Sequence, residues 1–107
     1  MKIDYFFILV KKIKHSPEIK AFIQRHSGLF WYTPEDKKEE ISEEFLVETI
    51  LNYGDLVDIN DLINIMGINN VASAFFKAEG RKKLNYYPEI YNFFNLVFNK
   101  YVPQHSK

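Results

Sequence analysis

Residues 45–80 read FLVETILNYGDLVDINDLINIMGINNVASAFFKAEG, three apolar-periodic runs that each end in a glycine. The three glycines are Gly54, Gly67 and Gly80. Apolar side chains recur at helical spacing within each run, and glycine is the residue that most often follows the last turn of a helix. The stretch therefore predicts three consecutive short helices joined by tight turns.

Helix signals also flank this stretch on both sides. Ser16-Pro17-Glu18 combines a side-chain cap, a proline at the first helical position and an acid in the first turn. Pro88 opens a last helix that is apolar over a broad arc, a pattern typical of burial on two sides. Residues 2–14 fit a helix or an intermolecular strand, and helix is favoured because no second strand is evident. The sequence predicts an all-α fold, a compact single-domain bundle of five or six short helices over residues 1–107.

Several details of these helices depend on single residues. Asp58 and Asn69 are the predicted N-caps of the second and third helices of the central stretch. Tyr53 is placed on the inner face of the first. Gly28 is predicted to end the helix that starts at Ser16. The segment Leu29-Phe30-Trp31-Tyr32 is too apolar for a solvated loop, so it is predicted to tuck under the domain as an anchor.

Composition narrows the classes of partner. Fourteen Lys and Arg balance fourteen Asp and Glu in 107 residues, so the chain has no overall attraction to nucleic acid or to an anionic membrane. Without cysteine it forms no disulfide and no thiolate nucleophile, which fits a reducing cytoplasm. The N-terminal apolar run is too short to span a bilayer. A soluble cytoplasmic protein without a membrane partner is expected.

No sequence motif points to catalysis or to a metal. Asp55, Asp58, Asn60 and Asp61 are clustered, but the central glycine and closing glutamate of a calcium loop are missing. The three histidines lack the spacing of a metal pair. A glycine-rich phosphate loop and a nucleophile elbow are also missing. We therefore expect no enzyme activity, no cofactor and no metal site.

An acidic segment precedes the central stretch. Residues 33–44 carry six acids against two lysines. One interpretation is a solvated loop that leads into a helix N-terminus, where acids are favourable. The alternative is a docking surface for a basic partner protein. The candidate protein-contact residues are Glu35, Asp36, Glu39, Glu40, Glu43 and Glu44.

Residues 59–83 have the lengths of a helix-turn-helix, with Gly67 in the turn. The second helix would meet bases with its N-terminal residues and phosphates with its basic end. Two positions argue against this, because Ile63 stands where a small residue normally lets the helices touch and Ser73 where an aliphatic normally packs. The candidate nucleic-acid contacts of this alternative are Asn69, Asn70, Lys77, Arg81, Lys82 and Lys83.

Short motifs across about residues 28–100 resemble a small uncharacterised bacterial domain family. They are Leu29-Phe30-Trp31, Tyr53-Gly54-Asp55 at a helix end, Asp61-Leu62-Ile63 with Met66-Gly67, and Phe93-Phe94. Genes of that family often lie beside nucleotidyltransferase-like toxins of the abortive-infection type. The resemblance implies an antitoxin or accessory partner, and it transfers no catalytic residue.

The leading prediction is a non-enzymatic protein-interaction module, an antitoxin-like partner of a bacterial toxin. The alternative is a DNA-binding regulator that uses the helix-turn-helix-like element at 59–83. A homodimer is a further expectation, through the N-terminal segment or the last helix, because both are rich in apolar residues.

Overall fold

A computed structural model describes residues 15–78 and 80–102. For residues 80–82 it describes only the backbone. These residues form five α-helices and three 3-10 helices and contain no strand, so the all-α fold class is confirmed. The α-helices are α1 (Pro17–Arg25), α2 (Glu43–Tyr53), α3 (Leu56–Met66), α4 (Ile68–Phe76) and α5 (Pro88–Tyr101). The 3-10 helices are η1 (Ser27–Phe30), η2 (Glu35–Glu40) and η3 (Gly80–Asn85). The predictions for residues 2–14 lie outside the described residues.

The chain divides into two compact units, Met1–Ser42 and Glu43–Lys107. The first unit packs α1 against η2 and buries Phe22 and Ile23 completely. The predicted start of α1 is confirmed, because Ser16 Oγ accepts a hydrogen bond from the Ile19 N–H at 3.2 Å and Pro17 is the first helical residue. That the two units belong to one domain stays a prediction.

The second unit is built on three mutually packed helices, α2, α3 and α4. Phe75 of α4 is fully buried. Its ring centroid lies 5.3 Å from that of Phe98, 5.1 Å from that of Tyr86 and 4.9 Å from that of Tyr91. One side chain of α4 therefore joins the three-helix core to α5 and to the segment before it. The fully buried aliphatic residues around this core include Leu46, Val47, Ile50, Leu62 and Val71.

The predicted glycine stops are correct at two of the three central positions. Gly54 follows α2, and a Cβ there would lie 2.8 Å from the Ile50 carbonyl oxygen. Gly67 follows α3 with φ at +88°, a conformation that L side chains rarely adopt. Gly80 instead begins η3, because Lys77 N–H bonds to the Ser73 carbonyl and closes α4 without a glycine. Gly28 likewise lies within η1, beyond the end of α1.

Both predicted central N-caps are wrong by a few residues. Asp55, not Asp58, caps α3: Asp55 Oδ1 accepts from the Asp58 N–H at 2.9 Å, and Asp58 Oδ2 accepts from the Asp55 N–H at 3.0 Å. This reciprocal arrangement satisfies two otherwise unpaired donors, which a single cap at Asp58 would not do. Helix α4 starts at Ile68 directly after Gly67, so Asn69 lies inside its first turn.

Candidate functional site

The predicted protein-contact acids lie on two elements. Four of them are on η2, and Glu43 and Glu44 open α2, where the helix dipole favours acids. Glu44, which is partly exposed, forms an ion pair at 3.4 Å with the more exposed Lys77. Within the described part of the chain, the carboxylates of Asp36, Glu40 and Glu43 have no ion-pair or hydrogen-bond partner. These three acids are open to a partner.

The other two acids of η2 have side-chain partners within the first unit. Lys38 is buried, donates from Nζ to the Ser27 carbonyl at 3.0 Å and pairs with Glu35 at 3.0 Å. Gln24 of α1 donates from Nε2 to Glu39 Oε2 at 3.0 Å. The simpler interpretation of residues 33–44, a solvated loop, is therefore wrong for 35–40, which form a helix fixed to its own unit.

Residues 29–32 do not form the buried anchor that their composition predicts. Phe30 alone is fully buried, whereas Trp31 and Tyr32 are 68% and 78% exposed. The Thr33 N–H bonds to the Phe30 carbonyl at 2.9 Å, which closes a turn after η1. Four consecutive residues in so tight a turn cannot all face one core. Phe30 takes the inward position, and the next two side chains point outward.

The outward side chains form a stacked pair. The ring centroids of Trp31 and Tyr32 are 3.7 Å apart with an interplanar angle of 28°. Each ring covers one face of the other, and side chains this exposed leave the opposite faces to solvent. We name Trp31, Tyr32, Asp36 and Glu40 the aromatic–acid surface. Asp36 and Glu40 follow Tyr32 by four and eight residues. An aromatic platform with carboxylates nearby in the chain can bind a group that is both flat and cationic.

The helix-turn-helix element has the predicted succession of α3, Gly67 and α4, and the two helices pack together. Asn69 is exposed in the first turn of α4. Asn70 is exposed as well, but its Nδ2 donates to the Met66 carbonyl at 2.8 Å and so caps the preceding helix. Of the two asparagines predicted to meet bases, one thus has a structural partner already.

The basic residues predicted to meet phosphates are partly engaged. Lys77 pairs with Glu44, as described above, and Lys83 is exposed with its Nζ 5.5 Å from the centre of the Tyr91 ring. Arg81 and Lys82 lie in η3, where only the backbone is described. A DNA-binding role for this element stays a prediction.

A second surface cluster, which the sequence did not reveal, surrounds Tyr53. This residue is 57% exposed, so its predicted place on the inner face of α2 is wrong. It is the last residue of its helix, where the stripe of core positions has ended. Its ring meets that of Tyr87 edge-on at 5.6 Å, with the two hydroxyl oxygens 3.4 Å apart. The Tyr-Gly-Asp motif marks this position, but nothing local identifies Tyr87 as its partner.

Polar contacts fix the chain beside this tyrosine pair. Asn52 donates from Nδ2 to the Asn85 carbonyl at 2.9 Å, and its Oδ1 accepts from the Tyr87 N–H at 3.1 Å. Asn85 in turn donates from Nδ2 to Glu48 Oε1 at 3.3 Å. Burial raises the pKa of the half-buried Glu48, against the opposite effect of the Asn85 hydrogen bond. The contacts tie η3 to α2, which is a structural role.

Helix α5 buries one side only. Phe94 and Phe98 face the core, whereas Phe93, Leu96 and Tyr101 are exposed. The expectation that its broad apolar arc is buried on two sides is wrong within residues 88–101. An exposed apolar side is compatible with a second copy of the chain, and the homodimer stays a prediction.

Comparison with protein-family models, with curated proteins and with solved structures finds no match to this chain. The family resemblance of the short motifs therefore stays a prediction. Among the described residues, no three His, Cys, Asp or Glu side chains converge as metal ligands would. No described helix is both long enough and apolar enough to cross a bilayer.

Proposed function

We propose that this protein is a non-enzymatic interaction module that binds a basic partner protein through the aromatic–acid surface. The observation that carries the proposal is the stacked Trp31–Tyr32 pair, 68% and 78% exposed. An aromatic side chain buries about 150–250 Å² when it is covered, so exposing two together forgoes a large gain in free energy. A partner that covers both would recover that gain.

The residue types of this surface are also those typical of protein-binding sites. Tryptophan and tyrosine are enriched among the residues that carry most of the binding energy in protein interfaces. Here they stand on a backbone that is held on both sides, by buried Phe30 before them and by buried Lys38 after them. A preorganised surface loses little conformational entropy when it binds.

Charge selects the class of partner. Asp36 and Glu40 have no intramolecular partner among the described residues. Of the two lysines of η2, Lys37 is exposed and Lys38 is buried. Unpaired carboxylates favour a positively charged protein surface and speed its association at low salt. Together with the family resemblance, this supports an antitoxin-like protein that covers a basic surface of a bacterial toxin in the cytoplasm.

The test is co-expression with the product of the neighbouring gene, followed by affinity purification through a tag on one chain. We expect a complex that the double variant Trp31→Ala/Tyr32→Ala weakens at least tenfold. The matched control is Leu56→Ala, which removes an exposed apolar side chain from α3 and should leave the complex unchanged. Absence of a complex at micromolar concentrations of both wild-type chains would overturn the proposal.

A DNA-binding regulator is the second candidate function, and the exposure of Asn69 in the first turn of α4 favours it. Residues at that end of a recognition helix meet base edges. A gel-shift assay with the gene's own promoter, repeated across a range of salt, tests it. Phosphate contacts through Lys83 and its neighbours predict affinity that falls as salt rises, so binding without salt dependence would exclude them.

A further inference from the structure

We propose that the ligand of the aromatic–acid surface is the guanidinium group of an arginine on a basic segment of the partner. The arginine stacks on the open face of the Trp31–Tyr32 pair, and Asp36 and Glu40 attract its charge. This inference rests on the proposed function and specifies the chemistry of its partner.

The ring geometry provides the stacking platform. With the two centroids 3.7 Å apart, the pair forms a double layer whose outer faces remain exposed. The face of an aromatic ring carries negative potential and attracts a cation within about 6 Å of its centroid, most strongly for tryptophan. The chain already contains such contacts, because the Arg25 guanidinium carbon lies 5.6 Å from the Phe22 ring centroid.

Asp36 is near enough to the rings along the chain to act on the same ligand. Asp36 follows Tyr32 by four residues, and successive Cα atoms are about 3.8 Å apart, so the two Cα atoms are separated by at most about 15 Å. The turn closed by the Lys37 N–H and the Pro34 carbonyl, 2.9 Å apart, shortens that span. A short peptide can therefore reach the rings and Asp36 together, and Glu40 follows four residues later in η2, about 8 Å further at the rise of a 3-10 helix.

The sign of the local charge separates a basic peptide from a nucleic acid. Bases of single-stranded nucleic acid also stack on exposed tryptophan and tyrosine, but such sites track the phosphates with positive charge. Here the exposed side chains of η2, which follows the rings in the chain, include Asp36 and Glu40, with Lys37 as the exposed cation on the same helix. A cationic ligand is attracted where a phosphate would be repelled.

Arginine fits this surface better than lysine does. Its guanidinium is planar, stacks on aromatic faces and presents a fork of donors that matches a carboxylate. The ammonium group of lysine is a compact, strongly hydrated charge without a flat face. A surface made of two stacked rings and nearby carboxylates therefore discriminates by shape as well as by charge.

Trp31 is the only tryptophan of the chain, so its fluorescence reports on this surface alone. The full chain is titrated with the capped peptide Gly-Arg-Gly-Arg-Gly, and with versions carrying lysine or citrulline in place of arginine. We expect a saturable change with the arginine peptide, about fivefold weaker binding of the lysine peptide, and no response to uncharged citrulline. Raising the salt from about 50 to about 500 mM should weaken binding severalfold.

Matched variants keep the reporter in place. Tyr32→Ala removes one layer of the stack and should weaken the arginine peptide at least fivefold, whereas Tyr32→Phe keeps the ring and should bind as the wild type does. Asp36→Asn/Glu40→Gln should weaken binding about tenfold and flatten its salt dependence. Lys37→Gln should tighten binding about twofold. Leu56→Ala, an exposed change on α3, should alter nothing.

Four results would overturn the inference. They are equal responses to the arginine and citrulline peptides, an arginine response that Tyr32→Ala leaves intact, a stronger response to a single-stranded oligonucleotide than to the arginine peptide, and no response at millimolar arginine peptide. If the complex with the neighbouring gene product forms and the double aromatic variant disrupts it, while the arginine peptide gives no response, the proposed function stands without the arginine. If neither the complex nor the peptide binds, both fail.

Discussion

Two groups of aromatic side chains make the most instructive comparison in this molecule. Phe75 is fully buried and meets the rings of Tyr86, Tyr91 and Phe98 at centroid distances of 4.9–5.3 Å. Trp31 and Tyr32 are still closer to each other, at 3.7 Å, yet both are exposed. Ring contact alone therefore does not reveal a role. The surroundings of the rings decide whether they stabilise the fold or remain available for a ligand.

The largest expected difference in stability is between variants that truncate one ring of each group. Phe75→Ala removes the side chain that joins α4 to α5 and should lower the free energy of unfolding by about 3–5 kcal/mol. Trp31→Ala deletes an exposed ring and should change it by about 0.5 kcal/mol or less. Chemical denaturation followed by circular dichroism measures both, since it does not depend on the lost tryptophan.

The same two variants should rank in the opposite order in their effect on partner binding. Trp31→Ala should weaken the partner complex, whereas Phe75→Ala should leave it intact under conditions where the variant is still folded. The comparison fails if Trp31→Ala destabilises the chain by more than about 2 kcal/mol, a cost typical of a buried ring rather than an exposed one.

Two glycines, one in each unit, extend the comparison to the backbone. Their substitution should give the next largest difference in stability. A Cβ at Gly54 would lie 2.8 Å from the Ile50 carbonyl oxygen and 3.0 Å from Asp58 Cβ, whereas one at Gly28 meets nothing within 4 Å. Gly54→Ala should cost about 1–3 kcal/mol of stability. Gly28→Ala should be neutral or stabilising by up to about 1 kcal/mol, because it restricts the unfolded chain.

Thermal unfolding of the two glycine variants beside the wild type tests this pair. A Gly28→Ala variant that loses as much stability as Gly54→Ala would show that the first unit is packed as closely as the second at these positions. The expected ranking instead places the close packing at the junction of α2 and α3.

Local signals predicted much of this fold and little of its surface. Ser16-Pro17 and Pro88 start helices as expected, because caps and N1 prolines act through neighbouring backbone groups. The exposure of Trp31 and the pairing of Tyr53 with Tyr87 were not predictable in this way. Both depend on which neighbours a side chain meets after folding, and Tyr87 lies 34 residues from Tyr53. Asp36 and Glu40, which are unpaired among the described residues, were predicted as contacts, whereas the exposed ring pair that precedes them in the chain was not.

The Tyr53–Tyr87 pair is intermediate in exposure between fully buried Phe75 and the Trp31–Tyr32 pair. Both rings are partly exposed, and they meet edge-on at 5.6 Å. A double-mutant cycle with Tyr53→Ala and Tyr87→Ala should give a coupling energy of about 0.5–1 kcal/mol. The same cycle on Trp31 and Tyr32 should give less, because adjacent residues can also stack in the unfolded chain. An equal or larger coupling at Trp31 and Tyr32 would contradict this expectation.

The smallest expected effect concerns Glu48, at the edge of the buried aromatic group. Burial raises the pKa of its carboxyl above 4.5, and burial together with the Glu48 charge raises the pKa of the neighbouring Tyr86 well above its usual range. The folded state thus binds the Glu48 proton more tightly than the unfolded state does. The stability that protonated Glu48 contributes is present below pH 4.5 and is lost as the pH rises through its folded pKa.

Glu48→Gln should therefore raise stability relative to the wild type at pH 7, by about a few tenths of a kcal/mol given the partial exposure, and give no gain below pH 4.5. Asn85→Ala is the matched control, because it removes the hydrogen bond that opposes the effect of burial. It should raise the pKa of Glu48 further, which an NMR titration of the side-chain carboxyl carbon measures directly. A lower pKa in Asn85→Ala would mean that the carboxylate gains more from water than it loses with the amide. The surroundings of Glu48 would then resemble those of the exposed acids Asp36 and Glu40 more than those of the buried rings.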